Sequence, residues 1–100
     1  MIGDAINKIE SWYNEQCKSE WAHQYGISID TLDNPGWAVK IDLLETSYSD
    51  LHVEEFFCER SDSDWIRCKI QDNKFYGWGG PMNLGEILEF FMKICAAHTH

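Results

Sequence analysis

The sequence predicts an α+β fold: an N-terminal helix, an antiparallel meander of about five strands and a C-terminal helix, with both helices packed on one sheet face. Three observations carry that expectation. Apolar residues recur at helical spacing near both ends of the chain. Between those ends, apolar and polar residues alternate with period two. The alternating runs are joined by short stretches rich in Pro, Gly, Asp, Asn and Ser, which makes neighbouring strands antiparallel.

The first helix is expected from Asp4 to Lys18. Ile2, Ile6, Ile9 and Tyr13 form its stripe, with Ala5, Trp12 and Cys17 beside it. Asp4 and Glu10 put negative charge toward its N-terminal half, where the helix dipole favours it. Gly26 opens the first strand, in which Ile27, Ile29 and Thr31 alternate with Ser28 and Asp30. A turn follows, with Pro35 and Gly36 fitted to the central positions of type II. Trp37, Val39, Ile41 and Leu43 then alternate with Ala38, Lys40 and Asp42. "ETSYSD" reads as a polar loop, "HVEEFFCER" as the third strand and "DWIRCKIQ" as the fourth. In the fourth, Ile66, Cys68 and Ile70 share one face and Trp65, Arg67 and Lys69 the other. Asp72-Asn73 suits a tight turn, since both types tolerate left-handed backbone. "KFYGW" makes the fifth strand. Asn83 is placed to cap the last helix with Glu86 three residues on. Leu84, Ile87, Leu88, Phe91 and Cys95 are its apolar stripe.

Two helices on one face leave the other face open. In this register it displays Ser28, Asp30, Lys40, Asp42, Glu55, Phe57, Trp65, Arg67 and Lys69. Large aromatics among charges read as a binding surface. A one-residue slip in the third strand would present Phe56 and Cys58 instead of Phe57.

The chain of 100 residues, 44% hydrophobic and 14% aromatic, is expected to form one folded domain over 1–100. It has no apolar run long enough to span a membrane and no basic-then-apolar leader, so a cytoplasmic location is expected. Cys17, Cys58, Cys68 and Cys95 form no CxxC pair and are expected to be small buried hydrophobes. The net charge is −9. Eight acids (Asp42, Glu45, Asp50, Glu54, Glu55, Glu59, Asp62 and Asp64) fall within 42–64, opposed only by Arg60. That segment argues against nucleic-acid binding and favours a basic partner.

Catalytic and metal patterns are weak. Asp30, Asp33 and Asp42 lack the alternating acids and downstream Glu of a calcium loop. Cys58 lies near Arg60 but in acidic surroundings, which disfavour a thiolate. Asp64 stands where a cysteine-then-arginine cradle would need arginine. His23 and His52 lie in polar stretches, and His98 and His100 at an end expected to fray. "GWGGP" matches neither common phosphate-loop pattern. No catalytic residue, metal or cofactor is expected.

Four stretches in their order, "WYNEQC" (12–17), "WAHQYGISIDTLDNPGWAVKIDL" (21–43), "ERSDSDW" (59–65) and "DNKFYGWGGPMNLGEIL" (72–88), resemble the bacterial immunity protein 53 family. The resemblance implies a small cytoplasmic α+β protein, encoded beside a polymorphic toxin, that protects its producer by binding the toxin domain. Nuclease-like toxins with basic substrate clefts would suit an acidic antidote. The residues expected to face the toxin come from the chemistry above: Asp30, Asp42, Glu54, Glu55, Phe57, Glu59, Asp62, Asp64 and Trp65. The alternatives are a small enzyme using a carboxylate or His52, and a regulatory module that self-associates through the open face.

Overall fold

The chain folds in the predicted order, as α1 (Ile2–Gln16), β1 (Ile27–Leu32), β2 (Gly36–Asp42), β3 (Val53–Ser61), β4 (Asp64–Gln71), β5 (Lys74–Gly79) and α2 (Leu84–His98). This is a computed structural model, and it describes residues 2–17, 26–44, 46–49 and 51–98. The expectations for Lys18, His23, Glu45, Asp50 and His100 lie outside the described residues.

The five strands form one antiparallel sheet in the order β1-β2-β5-β4-β3. That order is not a simple meander. After the β1–β2 hairpin the chain crosses to the far edge, and β3, β4 and β5 return strand by strand until β5 pairs with β2. The crossing segment is more than a polar loop. Leu43 is fully buried and Tyr48 nearly so. The Leu43 amide donates to the Asn73 carbonyl at 2.8 Å, and the Thr46 hydroxyl to the Leu43 carbonyl at 2.7 Å. The Tyr48 ring lies 6.2 Å from that of Trp12. His98, expected to fray, sits in the last turn of α2, its Nε2 3.0 Å from the Ser47 carbonyl oxygen.

Two turns test the local reading. Asp72 and Asn73 both take positive φ, 55° and 64°, the pair of left-handed residues that a two-residue hairpin needs. The β1–β2 connection departs from expectation. Leu32 pairs with Gly36 across the three-residue loop 33–35, and among the described residues no glycine has positive φ. The type II turn, which requires φ > 0 at its glycine, is therefore not formed. Gly36 is a strand residue instead, and a Cβ there would overlap the Gly79 carbonyl.

The helix layer is set by β5. Its Phe75, Gly77 and Gly79 face the helices, while Lys74, Tyr76 and Trp78 face away. A Cβ at Gly77 would overlap Ile87, and one at Gly79 would lie 3.0 Å from the Ile87 Cδ1. The bare strip lets α2 lie directly on β4 and β5, burying Ile87, Leu88 and Phe91 completely. Phe91 packs against Phe75 at 5.0 Å and edge-on to Trp12 at 5.1 Å. Helix α1 packs chiefly on α2. It reaches the core through Ala5, Ile9 and Trp12, while Ile6 and Tyr13, expected inward, are 38% and 43% exposed. With α2 holding the middle of the sheet, α1 needs only a narrow stripe. Among the described residues, no helix is long and apolar enough to cross a membrane.

Cys68 and Cys95 are buried as expected, Cys58 is half-buried, and Cys17 is exposed at the end of α1. Loss of solvation pushes the Cys68 and Cys95 thiols up to about 12. A thiol reagent should therefore modify Cys17 first and reach Cys68 and Cys95 only on unfolding, which mass spectrometry of alkylated peptides will read. Gly77→Ala should lower stability by about 1–3 kcal/mol through overpacking against Ile87. Adding Ile87→Ala should restore less than additive loss, measured by urea denaturation, because both changes act on one space.

Candidate functional site: the open sheet face

The face opposite the helices is organised by cross-strand register. Asp30, Ala38, Trp78, Arg67 and Phe57 stand in one row across all five strands. The next row holds Ser28, Lys40, Tyr76 and Lys69. On the other side of the first row, toward the hairpin tips, Trp65 pairs with Glu59. The expected register of β3 holds. An irregularity between Val53 and Phe56 leaves Phe57 and Glu59 outward with Arg67 and Trp65, and Phe56 and Cys58 inward with Cys68 and Ile66. Phe56 stacks on Phe90 of α2 at 5.1 Å.

Tyr76 and Trp78 were not legible as members of this face. Their strand alternates aromatics with glycines, so apolar character does not distinguish its sides. The usable signal was the glycine pair itself, which has no side chain to bury and leaves Tyr76 and Trp78 on the opposite face. In the structure these two rings lie parallel, 6° apart in tilt and 5.8 Å between centroids. The Arg67 guanidinium sits 4.6 Å from the Phe57 ring centre, and its Nε is 3.5 Å from Glu55. The Lys69 ammonium is 5.6 Å from the Tyr76 ring centre. Each contact sets a cation over a π-face, Arg67 exposed and Lys69 half-buried.

This face is not uniformly acidic. Lys40, Arg67, Lys69 and Lys74 are four of the eight Lys and Arg residues in the chain. Carboxylates gather instead at one end of the sheet. The β1–β2 and β3–β4 turns and the start of α2 all lie there, bringing Asp33, Glu59, Asp62, Asp64 and Glu86 to the same end. Arg60 ties part of that end together. It grips Asp64 with two bonds, at 2.8 and 3.1 Å, and Glu86 at 2.5 Å. The Asn83 side-chain amide donates to both Asp64 and Glu86 at 2.9 Å. Asn83 thus stands at the expected cap position but uses its nitrogen on carboxylates rather than its oxygen on the helix.

Of the nine residues expected to meet a partner, Asp30, Asp42, Glu55, Phe57, Glu59 and Trp65 share the open face. Asp62 stands in the tip turn. Glu54 is exposed beside His52, 3.7 Å away. Asp42 accepts a hydrogen bond from the Leu44 amide at 3.1 Å. Asp64 lies on the helix side with Ile66 and Cys68, held by Arg60 and Asn83, so the nine do not form one patch. Two concavities mark the face. One of about 340 Å³ has Ser28, Asp30, Lys40, Tyr76 and Trp78 around the small Ala38. The other, of about 260 Å³, is lined by Asn34, Phe57, Glu59, Asp62, Trp65 and Arg67. Among the described residues, no group of three or more His, Cys, Asp or Glu is placed to hold a metal.

Hydrogen bonds from Arg60 and then Asn83 draw the Asp64 pKa from 3.8 down to about 2. A carboxylate whose pKa falls on folding contributes stability that is present above 3.8 and lost as pH falls toward 2. Asp64→Asn should therefore flatten the loss of stability in that window while lowering stability near neutrality. Urea midpoints between pH 2 and 7 will show whether the two curves converge.

The family model for immunity protein 53 matches residues 6–96, and the chain belongs to that family. No curated protein and no solved structure matches it.

Proposed function

From membership of the immunity protein 53 family we propose that the chain binds and neutralises a toxin domain through its open sheet face, hairpin-tip end foremost. The observation that carries this reading is a sheet face that no described helix covers, on which Phe57, Trp65, Tyr76 and Trp78 stand among charges. Phe57 is exposed and the other three are half-buried, and aromatics presented in this way supply much of the affinity in protein interfaces once they are fully desolvated. The partner is a nuclease-like domain with a basic substrate cleft. The carboxylates at the tip end complement such a cleft and attract it over distance, while the aromatic rows slow its escape. The protein acts as one cytoplasmic domain by occupation, with no catalytic group and no cofactor.

Calorimetry with the C-terminal toxin domain encoded beside the protein tests this reading. Trp65→Ala and Trp78→Ala should each weaken binding about 30-fold, the scale of an interface hot spot. Charge reversal at Glu54, Glu55 and Glu59 should slow association, and added salt should slow it further. Unchanged affinity in every one of these variants would overturn the placement. Light scattering that shows a stable homodimer closing this face against the toxin would do the same.

A further inference from the structure

The cleft between Phe57 and Trp65 chooses a particular kind of group. We infer that it seats a guanidinium, an arginine side chain projecting from the partner protein; this rests on the reading of the open face as the toxin-binding surface. Three features of the cleft point the same way.

The first is charge. Glu59 and Asp62 line the cleft, and among the described residues neither is paired with a cation. The one cation in the lining, Arg67, is already held by Glu55 and lies over Phe57. The cleft therefore keeps an excess of negative charge, inside a protein whose net charge is −9. Asp33, next in sequence to Asn34 of the lining, adds a further carboxylate at the same end of the sheet. A phosphate or an acidic side chain would meet repulsion here.

The second is shape. A hollow of about 260 Å³ is too small for a helix or a strand but accepts one long side chain. The third is the chemistry of its lining. Aromatic faces stack on a planar, weakly hydrated guanidinium better than on a compact ammonium. Carboxylates at the rim match its paired N–H donors, and the Asn34 side-chain carbonyl can accept another. The second concavity makes no such choice, because Lys40 stands in the same lining as Asp30.

The test titrates the intact protein with acetylated tetra-arginine, tetra-lysine and tetra-glutamate peptides and follows the Trp65 indole N–H by NMR. Tetra-arginine should shift that signal saturably, tetra-lysine should bind several-fold more weakly, and tetra-glutamate should leave it in place. The exposed double variant Glu59→Gln/Asp62→Asn should weaken tetra-arginine binding about tenfold. Glu10→Gln, which removes an exposed charge on α1 in the helix layer, should leave it unaltered. Equal binding of tetra-glutamate or of a single-stranded oligonucleotide at Trp65, or indifference of tetra-arginine to the double variant, would overturn the proposal. The same double variant with the toxin domain separates the two readings. Toxin affinity that persists while peptide binding is lost overturns the seat and leaves the open-face reading standing. A toxin domain that does not bind the wild-type protein overturns the open-face reading, and the peptide result then decides the cleft alone.

Discussion

Both faces of the sheet depend on the bare strip that Gly77 and Gly79 leave along β5. Ile87 occupies the space their side chains would have filled, so α2 lies against the backbone of the central strands. Interior packing is dense enough that a single methyl there is felt. The same period-two geometry that turns those glycines inward sends Tyr76 and Trp78 outward. One strand therefore supplies both the seat of the helix layer and the aromatic centre of the exposed face. It can do so only from the middle of the sheet, which is where the long crossing between β2 and β3 leaves it.

A second constraint fixes the tip end. The β3–β4 hairpin is held in the sheet by the β4–β5 ladder, and Arg60 and Asp64 further tie its tip to Glu86 at the start of α2. Asn83 completes the tie from within the core, where only 5% of its surface is exposed. Its amide nitrogen serves two carboxylates, and its Oδ1 is buried with no hydrogen-bond partner among the described residues. An unsatisfied acceptor costs about 1–3 kcal/mol, an amount that charge-assisted bonds to Asp64 and Glu86 can offset. The consequence for function is positional. Glu59 and Asp62 flank a hairpin whose tip is anchored, so their carboxylates are presented from a fixed frame.

Much of this was legible because period two is a local property. Val39 and Ile41, Ile66, Cys68 and Ile70 fall on the buried face that their alternation indicated, and Asp72-Asn73 turns as its residue types require. Strand order was not legible, since local alternation says nothing about which strands meet across long separations. Tyr48 was missed because one aromatic in a polar stretch has no period. In α1, Ile6 and Tyr13 are as apolar as Ile9 and Trp12, so only the docking of α2 decides which stripe is buried. The run of acids within 42–64 suggested a patch. Alternation and the crossing distribute its described members over both faces and both ends, and Asp62 and Asp64 part company for that reason.

Charge on the open face is graded along the strands rather than spread evenly. Lys40, Lys69 and Lys74 lie in its half away from the tips, and Glu59 and Asp62 at the tips. A gradient of this kind orients an approaching partner as well as attracting it. In the proposed reading, a basic cleft is drawn to the tip end first, and its flanks then meet Trp78, Tyr76 and Phe57. The lysines beyond them oppose a partner that is basic throughout and favour one whose positive charge is confined to the cleft. Selectivity would then come from the cations of the antidote as much as from its acids, since like charges facing each other in the wrong register cost several kcal/mol.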